Sequence, residues 1–283
     1  MKTIIVPTDF SKNANHALMY AMELAKLENA NILLLHAYST VNVAPDISYN
    51  YAAAILGTPI ENTDKQVSAL LKKIEAKNVK GEALNVEGTP VDVILDMAEK
   101  KKPYLIVMGT KGASGLEEII MGSNTATVIE KAKCPVIAVP EKAKFGSLNN
   151  ITYATDYHTS DIDALKRLVE IATLSNSIIT IVHVVDQTLF SDDDAEFMNS
   201  FKKKVMTKIH YPQIQYKLIY GDDVVKELET YIKKEKPDLF AMSMQHRNIY
   251  EKLFRSSVTK KMAYHTKVPL MAFHYKKDSL FFI

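Results

Sequence analysis

Val107-Met108-Gly109-Thr110-Lys111-Gly112, followed at a distance by Gly122-Ser123-Asn124-Thr125, is the stretch on which the fold turns. The chain holds only nine glycines, yet Gly109, Gly112, Gly115 and Gly122 crowd into this one connection, with the spacing G-x2-G-x9-G-S. An apolar run over 104–108 leads in, and a helix-forming run over 123–132 leads out. Glycine at a strand end lets backbone N–H groups approach an anion with no Cβ in the way. Gly122-Ser123 opens a helix, whose free N–H groups and positive dipole end favour negative charge. The hydroxyls of Ser123 and Thr125 can add donors, and Lys111 a mobile positive charge. Loop glycines often make turns and nothing more. Their place between a buried strand and a helix favours the anion cradle. The pattern is neither a Walker A loop nor the dinucleotide fingerprint, which would follow the first strand.

Outward from this loop, strand and helix patterns alternate. Residues 3–8 form a short apolar run ending at Asp9. Ser11 is placed to cap a helix over 13–27, where Ala14, Leu18, Ala21, Met22 and Ala25 make one apolar face. Strands are expected over 32–37, 81–87, 104–108 and 136–139, the last after Pro135. Helices are expected over 64–77, 90–101 and 123–132, with Pro90 suited to a first turn. The polar, small-residue stretch 38–62 reads as loop or short helix. Near-continuous apolar strands between amphipathic helices imply a parallel sheet covered on both faces. Five such strands suit a doubly wound order, 2-1-3-4-5 or a close relative. Ligands of such sheets bind where strand order reverses, at the carboxyl ends, and there Asp9 and Gly109 stand.

The whole pattern occurs twice. Residues 2–37 laid over 149–184 without gaps match Thr8-Asp9 to Thr155-Asp156, Ala17-Leu18 to Ala164-Leu165, Asn29 to Asn176 and His36 to His183. Residues 103–140 laid over 237–274 match Leu105, Met108, Ser123, Thr125, Lys133 and Pro135 to Leu239, Met242, Ser257, Thr259, Lys267 and Pro269. Two gap-free blocks in the same order indicate a duplicated domain, with units over 1–143 and 148–283 and a junction marked by Gly146 and Ser147. The copies differ at the loop. Gly109 becomes Ser243, Gly112 becomes His246 and Gly122 becomes Ser256, so the second copy is not expected to cradle a triphosphate.

Composition narrows the function classes. The chain has 283 residues, is 47% apolar and 24% charged, and carries a net charge of +2. Bulk charge gives no reason to expect nucleic acid or a membrane surface. A single cysteine, Cys134, excludes an internal disulfide framework and fits a reducing compartment. The first residues lack the long apolar core of a secretory signal, and no run suits a membrane span. A cytoplasmic protein is expected. From Gln245 to Lys267, the bases Arg247, Lys252, Arg255, Lys260, Lys261 and Lys267 stand against Glu251, which reads as a solvated basic face or a surface for an anionic partner.

A first strand ending in Pro7-Thr8-Asp9-Phe10, a second ending in Leu34-Leu35-His36-Ala37, and the glycine spacing together resemble the ATP-binding branch of the universal stress protein family. The resemblance covers essentially the whole chain in two copies. It implies two α/β domains of the adenine-nucleotide alpha-hydrolase-like kind, each a doubly wound five-stranded parallel sheet in the order 3-2-1-4-5. It implies ATP as ligand, with Mg²⁺, in the first domain, and a regulatory or stress-response role. Carried over, Asp9 contacts the ribose or adenine end and Ala37 meets adenine through its backbone. Met108, Gly109, Gly112, Gly122, Ser123, Asn124 and Thr125 wrap the phosphates, with Pro7 and Thr8 in the same cleft. It also implies that last strands pair, so that 136–139 would meet 270–273 inside one chain. A homodimer between chains and an unidentified protein partner are further expectations.

Several residues have plainer readings. Asp9 can serve as a helix N-cap, His36 can satisfy a local hydrogen bond, and Cys134 can be an ordinary buried thiol beside Lys133. Asp156, His158, His183 and His246 can be scattered polar residues rather than metal ligands. Two other functions stay open. One is a slow ATPase or phosphotransferase, although no clear base or second metal carboxylate accompanies Asp9. The other is an interaction module that has given up nucleotide.

Overall fold

In a computed structural model of the chain, residues 1–39, 60–110, 122–143, 145–185, 192–243 and 268–273 are described. The first half runs β1 (Thr3–Pro7), α1 (Lys12–Glu28), β2 (Asn31–Tyr38), α2 (Ile60–Ala76), β3 (Gly81–Glu87), α3 (Pro90–Lys101), β4 (Leu105–Gly109), α4 (Ser123–Lys131) and β5 (Val136–Val139). The second runs β6 (Asn150–Ala154), α5 (Asp161–Ser175), β7 (Ile178–Val185), α6 (Asp192–Lys208), β8 (Ile214–Tyr220), α7 (Val224–Glu235), β9 (Leu239–Ser243) and β10 (Leu270–Phe273).

These strands form one ten-stranded sheet in the order β3-β2-β1-β4-β5-β10-β9-β6-β7-β8. Each half therefore has the order 3-2-1-4-5, and the alternative order 2-1-3-4-5 does not occur. Strand order reverses between β1 and β4, which are parallel neighbours with Ile4 opposite Leu105. Ile4, Ile5 and Val6 are all buried, so both faces of the sheet are covered, as a continuous apolar run requires. One face packs on α1, α2, α5 and α6 in a core that crosses from one half to the other. On the opposite face, α3 and α4 cover the first half, and α7 covers its own part of the second.

The halves join edge to edge. β5 and β10 pair antiparallel, with Ile137 opposite Met271, in a sheet whose other pairs are parallel. Beside this joint, Lys2 meets Glu28 of its own half and lies 3.6 Å from Glu170 of the other. The Lys2 ammonium and the Arg167 guanidinium both sit over the Tyr104 ring, at 4.2 and 4.9 Å.

Local chemistry sets the helix ends. Ser11 caps α1, its hydroxyl accepting from the Ala14 N–H at 3.1 Å, so the N-cap role open to Asp9 falls to Ser11. Thr89 caps α3, with Pro90 in the first turn. Asn29 and Asn176 close α1 and α5 in the left-handed conformation, φ 49° and 55°, at matching places in the two copies. Helix α2 begins at Ile60, earlier than the apolar pattern from 64 suggests, and β2 continues to Tyr38. Of the stretch 38–62 read as loop or short helix, residues 40–59 lie outside the described chain. β4 runs on to Gly109, which pairs with Val139, because a glycine continues a ladder that the apolar run alone would end at Met108. Among the described residues no helix is long and apolar enough to cross a membrane.

Candidate functional site

A cleft of about 300 Å³ opens at the carboxyl ends of β1 and β4, where strand order reverses. β1 and its exit contribute Pro7, Thr8 and Asp9. β4 contributes Met108 and Gly109, and the start of α4 contributes Gly122, Ser123, Asn124 and Thr125. Ala37 reaches it from the end of β2. Every sequence-predicted residue within the described chain thus lines one cavity. Lys111, Gly112 and Gly115 lie outside the described residues.

Sequence reasoning missed Ala14, Leu35, Pro90 and Ile94, which also line it. Two of these were legible. Leu35 shares a strand face with Ala37 by the period of two, and Ile94 lies one helical turn after Pro90. Together with Met108 these residues make part of the lining apolar.

The exit from β1 is a built corner. Phe10 holds the left-handed conformation, φ 62°, which is unusual for a bulky residue. Three contacts impose it. The Phe10 N–H donates to the Thr8 hydroxyl at 3.0 Å. The His36 Nδ1–H donates to the Thr8 carbonyl at 2.8 Å. The Phe10 ring packs on the His36 ring, 4.5 Å between centroids. His36 therefore has the local structural role open to it, and the corner leaves Asp9 exposed at the cleft, its Oδ1 accepting from the Ser11 N–H at 3.0 Å.

The two described glycines of the loop do different work. A Cβ on Gly109 would stand 2.9 Å from the backbone oxygen of Asn13, so this glycine is required by the close approach of α1 to β4. That contact gives Gly109 a packing role beside the phosphate role expected of it. Gly122 has φ −54°, which any residue can adopt, and caps α4 with no side-chain hydrogen bond. Its N–H donates to the Thr110 carbonyl at 2.7 Å, which fixes the helix start against β4. The N-cap position of α4 thus carries no side-chain cap hydrogen bond. Thr125, expected as a phosphate donor, also has a structural partner. Its buried hydroxyl donates to the Gly109 carbonyl at 2.8 Å and ties α4 to β4, whereas Ser123 and Asn124 are exposed.

Cys134 is half-buried, and burial pushes its thiol up to about 11. Lys133, its neighbour, pairs with Glu99 at 2.8 Å rather than activating it. Among the described residues no group of three or more His, Cys, Asp or Glu is placed to hold a metal. His183 instead donates from Nδ1 to the Thr155 carbonyl at 2.8 Å, and a ring nitrogen of His158 pairs with the Ser160 hydroxyl at 2.6 Å. His246 lies outside the described residues, as do Ser256 and the basic stretch after Gln245.

A second cleft, of about 180 Å³, occupies the matching place in the second half. Its corner is the same. Tyr157 has φ 65°, donates from its N–H to the Thr155 hydroxyl at 2.9 Å, and stacks on His183 at 4.1 Å.

A model of the Universal stress protein family matches this chain twice, over residues 1–140 and 148–274. A universal stress protein of Methanocaldococcus jannaschii is 36% identical over 155 residues, covering 50% of this chain and 84% of the relative. One of Thermus aquaticus is 32% identical over 145 residues, covering 49% of this chain and 98% of the relative. A solved universal stress protein of Archaeoglobus fulgidus has the fold across 96% of this chain and 98% of its own, with a TM-score of 0.73 and 19% identity.

Proposed function

The chain belongs to the universal stress protein family, and from that premise we propose that its first cleft binds an adenine nucleotide, ATP by preference, as a regulatory ligand. The two units are taken as residues 1–143 and 148–283. The observation that carries the reading is a single cavity that joins an apolar lining, one carboxylate and an uncapped helix start. Leu35, Ala37, Ile94 and Met108 suit a flat base. Asp9 suits ribose hydroxyls. The start of α4 suits phosphate, because its free N–H groups donate to anions at no cost in reorganisation.

Mg²⁺ is usually held by one or two carboxylates together with substrate phosphates. Asp9 is the carboxylate among the described lining residues, so the ion would arrive with the nucleotide. Phosphoryl transfer needs in addition a residue that orients the nucleophile. The described lining offers no candidate besides Asp9, which favours binding over turnover. Occupancy would then act by mass action, stabilising the bound state by about 2.7 kcal/mol at 100 times the dissociation constant. Because β5 is already paired with β10, assembly between chains would use another surface.

Thermal melting with and without ATP, AMP and GTP tests the proposal. ATP should raise the midpoint in a concentration-dependent way, and Gly122→Ile should shrink the rise markedly at the same ATP concentration. No shift with any of the three would favour a nucleotide-independent interaction module.

A further inference from the structure

We propose that the second cleft is a separate site for a purine nucleoside that carries no phosphate. The inference rests on the reading of the first cleft as an adenine-nucleotide site, because the two clefts can be compared position by position.

At the base end the walls agree. Leu35, Ala37, Ile94 and Met108 of the first cleft correspond to Val182, Val184, Leu228 and Met242 of the second, and all line their cavities. The exit corner is kept too, with Asp156 at the place of Asp9. A framework that holds a base and a ribose in one half is therefore present in the other.

Elsewhere in the lining the chemistry differs. Ala14 corresponds to Asp161, and Gly109 to Ser243. Asp161 is 1% exposed, yet its carboxylate stands among the cleft's lining residues. Its Oδ1 accepts from the Tyr153 hydroxyl at 2.8 Å and its Oδ2 from the Thr155 hydroxyl at 2.6 Å. Tyr153 stands where the first half has Val6, so the donor was added along with the acid. Burial, and then the Asp161 carboxylate, hold the Tyr153 hydroxyl far above the ordinary phenol range, so it stays a donor. Ser243 is a further hydrogen-bond neighbour of that hydroxyl. Across from it, α5 starts at Asp161, whereas overlay on α1 would start it at Thr159. A buried carboxylate in the lining opposes a phosphate by like charge, and a neutral nucleoside meets no such penalty.

The test is calorimetric titration of the full chain with adenosine and AMP, in variants that close one cleft at a time. Ala37→Trp blocks the first cleft and Val184→Trp the second. With the first blocked, adenosine should bind one equivalent, and AMP at least about tenfold more weakly. Adding Asp161→Asn, which keeps shape and removes charge, should tighten AMP by about tenfold and leave adenosine within about threefold. Val184→Trp should remove the site. The proposal is overturned if the Ala37→Trp protein takes up no adenosine, binds AMP as tightly as adenosine, or ignores Val184→Trp. Independently of any variant, adenosine should shift the Val184 and Leu228 methyl resonances of the wild type, and unmoved methyls at saturating adenosine would also overturn it. Failure of the first-cleft reading looks different: the wild type takes no ATP, while a Val184-dependent adenosine site persists and supports the present proposal.

Discussion

The two clefts of this chain share the corner where the first strand of each half leaves the sheet and differ elsewhere in their lining. Thr8, Phe10 and His36 build the same corner as Thr155, Tyr157 and His183, down to the left-handed aromatic residue. Beyond the corner, Ala14 and Gly109 give way to Asp161 and Ser243. The difference teaches where a duplicated fold is free to change. The corner satisfies the backbone where β1 leaves the sheet, so either copy would lose packing and hydrogen bonds without it. The residues that differ need only be mutually compatible. Glycine opposite the Asn13 backbone is one compatible set, and Ser243 with a later helix start is the other.

The harshest way to break this contrast is Gly109→Val. Its side chain would press on the Asn13 backbone at 2.9 Å, and backbone cannot swing away. Overpacking of this kind costs about 1–3 kcal/mol, so the melting midpoint should fall by several degrees, and ATP binding should be lost as α1 shifts. An unchanged melt would remove the steric account of that glycine. Tyr153→Phe is the counterpart in the second half. It strips a donor from a buried carboxylate, for about 1–3 kcal/mol in denaturant unfolding, and leaves ATP affinity untouched.

Gly122→Ile separates binding from folding. The backbone there, φ −54°, tolerates a side chain, so stability should drop by less than about 1 kcal/mol. Covering the α4 start should nevertheless weaken ATP by about thirtyfold, roughly 2 kcal/mol of hydrogen bonding to charge. Asp9→Ala should cost less, about fivefold to tenfold in ATP affinity, as one exposed carboxylate contact is worth ~1 kcal/mol. Equal losses from both variants would blur the division of the cleft into ribose and phosphate ends.

The prediction furthest from the clefts concerns Cys134, whose counterpart in the second half is Val268. Burial raises its thiol to about 11. The folded state thus favours the neutral thiol. That contribution is complete below the unfolded thiol's range and fades as pH rises through about 11. At pH 8, alkylation by iodoacetamide should be roughly 100-fold slower in native than in unfolded protein, from two pKa units of lost thiolate.

Much of this was legible in the sequence. Apolar runs bounded by proline, glycine and capping residues located the strands to within a residue or two, and the gap-free repeat located the second half. The cleft was legible because its glycines and Thr8-Asp9 are rare residue types at strand ends. Three things were not. The approach of Asn13 to Gly109 joins residues far apart in the chain, so the packing role of that glycine was hidden behind its expected ligand role. The Thr125 hydroxyl reads as a free donor until its acceptor, the Gly109 carbonyl, is seen. The change at Ala14 to Asp161 was passed over because an acid in a helix's first turn is ordinary, and only burial makes it informative.

Native mass spectrometry of the full chain in excess ATP tests the central asymmetry most directly. One bound ATP per chain, strongly reduced in Gly122→Ile and kept in Val184→Trp, is the predicted spectrum. Two bound nucleotides, or one that survives Gly122→Ile and disappears with Val184→Trp, would contradict it.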